Sequence, residues 1–279
     1  MKRRWLITGV SSGLGQALME AVVRHGDDVA GTVRKLPGTD PVSGPGRVKL
    51  FRVDVTDEAQ VGPAVAAAAE WLGGIDVVVN NAGAGVFGPV EVCSVADYAR
   101  AMDVNFFGLV AMTKAALPYL RESKGTLINV ASLAAFLGMG GTSAYAASKH
   151  AVLGLSEALR AELAPFGIRV VVPMPGGFRT NFWSEQSNTI REGLDDVYGA
   201  HPSGQIRART QQHVGHELGD PQKYAELLIR IAGEPNPPLN LVLGADALEY
   251  IGAKRDAMVA ELESQRHIAE ATSFANATA

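Results

Sequence analysis

The 279-residue chain has a single cysteine, Cys93, so no internal disulfide can form and a reducing compartment, the cytoplasm, is expected. It has no surplus of positive charge either. Lys and Arg number 25 against 29 Asp and Glu, a net charge of −4, which offers no general attraction to nucleic acid or to an anionic membrane. Long hydrophobic runs are missing as well. The longest stretch without charge, Gly125 to Ser148, is broken by Gly, Ser, Thr and Asn, predicting strand plus loop and not a membrane span. After Met1-Lys2-Arg3-Arg4 the apolar run is only Trp5-Leu6-Ile7, too short for the core of an export signal. No linker rich in Pro, Gly or Ser divides the chain, and no internal repeat is visible.

What the chain does have is apolar residues, at 47 %, with only 19 % charged. That composition suits a globular protein with a sizeable core and excludes a disordered or fibrous one. Short runs rich in Val and Ile recur at Arg4–Thr8, Asp28–Val33, Val48–Val53, Ile75–Asn80, Gly125–Ala131, Ile168–Pro173 and Leu239–Leu243. Helical patterns lie between and after them, at Leu14–His25, Ala59–Leu72, Ala96–Arg121, Ser143–Phe166, Pro221–Ala232 and Ala245–Ile268. Strands alternating with amphipathic helices imply right-handed crossovers and a parallel sheet of about seven strands covered on both faces. This is an α/β, Rossmann-type doubly wound fold, and wholly apolar strands are what such a sheet requires. Leu36–Gly46 reads as a surface loop. From Phe178 to Asp220 the pattern is lost, as expected of a lid or cap. The organisation expected is one domain over 1–279 with a cap at about 178–220 and a helical tail at about 245–279, frayed beyond 268.

The turn Thr8-Gly9-Val10-Ser11-Ser12-Gly13-Leu14-Gly15 follows the first strand and opens the first helix. Three glycines there let the backbone turn sharply and approach a pyrophosphate, and the helix N-terminus supplies free N–H groups for it. A tight structural turn would also use them. At the end of the second strand stand Arg34 and Lys35, with no carboxylate. A carboxylate would bind a ribose 2′-hydroxyl, whereas a guanidinium fork suits a 2′-phosphate. NADP(H) is therefore expected over NAD(H).

Tyr145-Ala-Ala-Ser-Lys149 places a phenol and an ammonium on one helix face, about 5–6 Å apart at Cβ. A lysine beneath a tyrosine is expected to lower the phenol from its ordinary pKa of about 10, so that it can exchange a proton with a carbonyl oxygen. Ser132 ends the fifth strand, thirteen residues before Tyr145. Carboxyl ends of strands are where open α/β sheets bind ligands, and a hydroxyl there can hold a substrate oxygen.

Together these segments resemble the short-chain dehydrogenase/reductase family, from Leu6 to about Thr180. The resemblance rests on Thr-Gly-x₃-Gly-x-Gly at Thr8–Gly15, Asn80-Asn81-Ala82-Gly83, Ser132, Tyr145-x₃-Lys149 and Pro175-Gly176-x₃-Thr180. It implies a catalytic set of Asn105, Ser132, Tyr145 and Lys149, with Asn105 holding a water that links Lys149 to solvent. It also implies cofactor contacts from Gly9, Ser11, Ser12, Gly13, Leu14, Gly15, Arg34, Asp54, Val55, Asn81 and Gly83. Tyr145, Lys149, Pro175, Gly176, Phe178 and Thr180 complete that set. Asp54 and Val55 would grip adenine, although Asp54 could also cap a helix, a role for which Asp57 stands closer. The implied activity is hydride transfer between NADP(H) and a carbonyl or secondary alcohol, and the tail resembles members acting on bulky apolar alcohols. Pairing through the helices carrying Asn105 and Tyr145, as a homodimer or homotetramer, is implied too.

Other readings stay open. A non-catalytic NADP-binding sensor or scaffold could use the same fold, although it has no need of a phenol above an ammonium. An epimerase or dehydratase would want a longer C-terminal domain. His213, His216 and Glu217 lack the further ligands of a zinc site, and His150 is expected to turn about 100° away from the face bearing Lys149. Phe136, Leu137, Met139, Phe182 and Trp183 could line an apolar substrate pocket or simply pack.

Overall fold

The computed structural model describes residues 2–37, 42–183 and 188–274. Parts of the expected loop at 36–46, of the cap at 178–220 and of the tail beyond 268 therefore lie outside the described residues. In chain order the elements are β1 (Arg4–Thr8), α1 (Gly13–His25), β2 (Asp28–Val33), β3 (Val48–Arg52), α2 (Glu58–Leu72), β4 (Val77–Asn80) and β5 (Gly85–Phe87). Next come α3 (Val95–Met102), a π-helical turn (Asp103–Phe107), α4 (Gly108–Ser123), β6 (Thr126–Asn129), α5 (Ser143–Leu163) and β7 (Arg169–Pro175). The chain continues through β8 (Asn188–Ile190), α6 (Asp195–Tyr198), α7 (Ile206–His213), α8 (Pro221–Ile231), β9 (Asn240–Leu243) and α9 (Ala245–Glu270).

Seven strands form one parallel sheet in the order β3-β2-β1-β4-β6-β7-β9. The expected Rossmann-type architecture is thus present. The order reverses between β1 and β4, and the crevice outside the carboxyl ends of strands at such a switch point is where ligands bind. The strands are buried because both faces are covered. On one face Leu18, Val22 and Leu228, from α1 and α8, pack on Trp5, Ile7 and Val29. On the other, Val65, Met112, Leu120 and Leu159 pack on Leu6, Val78 and Leu127.

Local chemistry places the ends. Asp57 caps α2, accepting from Ala59 N at 3.1 Å. Ser94 and Asp97 form a reciprocal capping box on α3, and Asp220 followed by Pro221 opens α8. Both are standard ways to satisfy the first N–H groups of a helix. Gly26 (φ 101°) and Gly73 (φ 76°) stop α1 and α2 in the left-handed region, which costs glycine little.

Two expectations needed correction. The single helix expected over 96–121 is α3 and α4 joined by the π-helical turn, which periodicity alone does not distinguish from continuous α-helix. The stretch after Phe178 is also less irregular than its sequence. β8 pairs in parallel with β5, Val86 opposite Thr189, and α6 and α7 follow. Three-residue strands are too short to show an alternating pattern. No helix among the described residues is long and apolar enough to cross a membrane.

Candidate active site

A cavity of about 590 Å³ opens at the carboxyl ends of the central strands. Its first wall is the β1–α1 turn. Gly9 (φ 69°) and Gly13 (φ 61°) hold left-handed backbone, and a Cβ on Gly9 would lie 2.8 Å from Ala82 Cα. The Ser12 side chain makes no cap hydrogen bond, so its hydroxyl and the first-turn N–H groups of α1 remain available. Thr8, buried beneath the turn, ties it to the end of β4. Its Oγ1 accepts from Asn81 N and Ala82 N, each at 2.9 Å. Asn81 Nδ2 donates back to Thr8 O at 2.9 Å and Gly9 O at 3.1 Å.

Ser11, Ser12, Gly13, Leu14, Arg34, Asp54, Val55, Asn81 and Gly83 line this half of the cavity with Gly9. Arg34 is exposed at the end of β2. Asp54 Oδ1 accepts from Thr56 N at 3.0 Å and Thr56 Oγ1 at 2.7 Å, an Asx turn that leaves Asp57 to cap α2. Gly15 packs under Asn81, where a side chain would collide with the amide and with the Gly9 carbonyl, and does not itself line the cavity.

Ser132, Tyr145 and Lys149 meet on the opposite wall. Ser132, in extended backbone just beyond β6, caps a short 3₁₀ turn by accepting from Ala134 N at 3.2 Å. Its hydroxyl also acts on the Tyr145 phenol, drawing the tyrosine pKa down. Burial outweighs it and pushes Tyr145 up to about 12. The lowering expected from Lys149 is therefore not the state of this site. Lys149 Nζ lies 5.8 Å from the tyrosine ring centroid and donates to Val130 O at 2.8 Å. No carboxylate among the described residues accompanies it, and burial brings its ammonium down to about 8. Burial disfavours whichever form is charged, which moves the two groups in opposite directions.

Asn105 lies in the π-helical turn, fully buried, and does not itself line the cavity. Its Oδ1 accepts from Ala84 N at 2.8 Å, and its Nδ2 donates to Ala84 O and Ser148 Oγ, both at 2.9 Å. The side chain thus fastens the loop after β4 to the helix that carries Tyr145 and Lys149. His150 is exposed, and its Nδ1 pairs with Ala146 O of its own helix at 2.8 Å, away from the cavity.

Pro175, Gly176, Phe178 and Thr180 line the cavity after β7. Phe178 also stacks edge-on against Tyr224 at 5.5 Å. The remaining wall is aromatic. Phe87 from β5 lies 5.3 Å from Tyr145 and 4.9 Å from Trp183, ring centre to ring centre, and Phe182 lies 5.9 Å from Tyr145. Met139, Phe182 and Trp183 line the cavity, whereas Phe136 and Leu137 do not. Sequence reasoning missed Phe87, for which the sequence carries no signal, and Thr8, whose place at the head of the glycine motif was signal enough. It also missed the Asp97–Arg191 pair. Arg191, next to β8, meets Asp97 of α3 through Nη2 at 2.8 Å and Nε at 3.1 Å. The guanidinium holds the Asp97 carboxyl down at about 2. Among the described residues no group of three or more His, Cys, Asp or Glu could hold a metal ion.

Comparison with known proteins agrees with this geometry. Residues 3–191 match the family model described as short chain dehydrogenase. Over 278 residues the chain is 39 % identical to oxidoreductase BOA17 of Botryotinia fuckeliana, covering 98 % of this chain and 100 % of that protein. It is 35 % identical over 242 residues to a 3-ketodihydrosphingosine reductase of Bacteroides thetaiotaomicron, covering 86 % and 87 % of the two chains. A crystal structure of a short-chain dehydrogenase from Streptomyces avermitilis superposes with a TM-score of 0.86 at 33 % identity, covering 98 % of this chain and 100 % of the other. The chain belongs to the short-chain dehydrogenase family and is an NAD(P)-dependent oxidoreductase acting on CH–OH or C=O groups.

Proposed function

We propose that the chain transfers hydride between NADP(H) and an apolar ketone or the corresponding secondary alcohol, with Tyr145 as the proton donor and acceptor. The observation that carries this reading is the meeting of Ser132, Tyr145 and Lys149 on one wall of the cavity. The residues present fit the cofactor. Gly9 and Gly13 leave room for a pyrophosphate against the turn, and the start of α1 offers N–H groups to it. Arg34 stands on the rim, where it would meet a 2′-phosphate, and Asp54, Val55, Asn81 and Gly83 would hold the adenosine and ribose. Pro175, Gly176, Phe178 and Thr180 would hold the nicotinamide end. When bound, the nicotinamide supplies or accepts the hydride.

The chain's own part follows from its side chains. Ser132 positions the carbonyl oxygen. Tyr145, held neutral by burial, carries the proton that oxygen needs when the carbonyl is reduced. Lys149 supplies positive charge beside the developing phenolate, and Asn105 holds the helix bearing both residues in place. Phe87, Phe182 and Trp183 favour an apolar substrate next to Tyr145, with the segment 178–220 as the cap that supplies two of them. The relative named for 3-ketodihydrosphingosine, a long-chain ketone, supports this substrate class. The reading extends to a single domain with α9 as its tail, located in the cytoplasm. It also includes a homodimer or homotetramer formed through the helices carrying Asn105 and Tyr145, beside which Phe107 is 56 % exposed.

The test is a ketone panel of graded chain length, assayed with NADPH and NADH on the wild type and on Arg34→Ala. The wild type is expected to favour long apolar ketones and NADPH. Arg34→Ala should raise the KM for NADPH about tenfold or more, as loss of a charge-assisted hydrogen bond does, and leave that for NADH nearly unchanged. Equal use of NADH by the wild type would overturn the cofactor reading, and turnover confined to small polar carbonyls would overturn the substrate reading.

A further inference from the structure

The nicotinamide-side loop is held from behind by the start of α9. Beyond β7, Gly176 N donates to Leu243 O of β9 at 2.8 Å. The chain then turns at Gly244 (φ 108°) and α9 begins. Asp246 lies in its first turn, where a helix N-terminus favours a carboxylate. Asp246 Oδ2 accepts from Gly177 N at 2.7 Å. Its Oδ1 is buried without a hydrogen-bond partner. A Cβ at Gly176 would run into this carboxylate, so the glycine leaves the space that Asp246 fills.

The two faces of the loop differ in what they meet. Pro175, Gly176 and Gly177 line the cavity, and Asp246 does not. Core packing does not account for the aspartate, since Ala247 is the buried residue of α9 among those described. Leaving a carboxylate oxygen buried and unpaired costs free energy, and what the placement gains is a fixed Gly176–Gly177 peptide. We infer that Asp246 is a positioning residue: it sets the height of that peptide, and with it where the nicotinamide end of the cofactor rests, without touching the adenosine end. This inference rests on the cofactor placement proposed above.

Calorimetric titration with NADP⁺ and with 2′,5′-ADP, which lacks the nicotinamide, tests it. Asp246→Ala is expected to weaken NADP⁺ about tenfold, the cost of a lost charge-assisted hydrogen bond. It should leave 2′,5′-ADP within about twofold, because distant sites without shared partners act independently. Asp246→Asn should hold NADP⁺ affinity near that of the wild type, its amide oxygen still accepting from Gly177 N. Gly176→Ala drives a methyl into the carboxylate and should show the same selective loss, partly recovered in Gly176→Ala/Asp246→Ala. It also carries the test by itself if Asp246→Ala does not fold. Equal weakening of both ligands, or of neither, overturns the inference and leaves the cofactor reading standing. A wild type that binds neither ligand overturns both.

Discussion

The glycine-lined half of the cavity and its aromatic half are walled by different kinds of atom. On the glycine side the surface is mostly backbone, shaped by Gly9, Gly13 and Gly83 and locked by the hydrogen bonds between Thr8 and Asn81. Across the cavity it is side chain. Phe87 comes from β5, and Phe182 and Trp183 from a 3₁₀ turn, Asn181–Trp183; the register of β5 depends on its pairing with β8 and on Asp97 and Arg191. A backbone surface can be kept only by residue types that permit the backbone, whereas a side-chain surface can be rebuilt residue by residue. The first therefore suits a ligand common to a family, and the second suits a substrate that changes between members.

Tyr145 stands where the halves meet, and its loss should erase the difference between them by stopping chemistry in both. Tyr145→Phe keeps the ring packed against Phe87 and removes only the hydroxyl. A fall in kcat of about 10²–10⁴ is expected, the usual contribution of general acid–base catalysis, with little change in cofactor Kd. Single-turnover reduction read by NADPH absorbance measures it, and retention of most turnover would remove Tyr145 from its role.

The same seam carries a pH signature. Lys149 has an ordinary pKa of 10.5 and is held near 8 by burial. Because its folded value is depressed, the folded state sheds this proton first. Below about pH 8 the buried ammonium costs stability, and stability is recovered as pH rises from 8 toward 10. The gain is on the order of 2 kcal/mol at pH 10. Tyr145 has the opposite sign, but its effect begins only above its ordinary value of 10. In the window from 8 to 10 the Cys93 thiol, raised by burial above 9.0, opposes Lys149 from pH 9 upward, and comparison with a Lys149 variant cancels that part. Denaturation midpoints of the cofactor-free protein should rise across that window relative to Lys149→Met. Parallel curves would show that Lys149 stays charged in the folded state.

Legibility divides along the same line. Thr8–Gly15, Asn81, Ser132, Tyr145 and Lys149 can be read because each must be a particular residue type at a fixed offset from a strand end. The seven strands are legible for a similar reason, since burial on both faces requires apolar runs. Phe87 is not legible, because any large apolar residue could stand there and β5 is too short to show a period. The state of Tyr145 is hidden for a different reason. Spacing reveals the lysine's nearness, but the balance between a neighbouring ammonium and desolvation depends on burial, which only the folded arrangement sets. Asn105 is a case between the two. Its residue type is legible, and its pairing with Ala84 and Ser148 follows from a π-helical turn that no periodicity announces.

The smallest effect comes from the aromatic half alone. Arg191 is half exposed while Asp97 is buried, so the pair is screened on one side, and exposed ion pairs contribute modestly. Its leverage is positional. Arg191 N donates to Phe87 O at 2.7 Å, so the residue that holds the guanidinium to α3 also holds the backbone of the aromatic wall. Removing the side chain in Arg191→Ala should loosen β8 against β5 and let Phe87 and Trp183 drift, raising the KM for a long apolar ketone about twofold to fivefold. NADPH affinity should move less, because Asp97 keeps its 3.6 Å contact with Arg100 of the cavity wall when the Arg191 side chain is removed. Asp97→Asn should do less, since its amide oxygen can still accept from Arg191 and from Ser94 N. Steady-state kinetics with ketone and NADPH varied separately distinguishes the outcomes. If Arg191→Ala shifted both KM values together, the two halves would be one mechanical unit, and the division between a backbone-built cofactor wall and a side-chain-built substrate wall would fail.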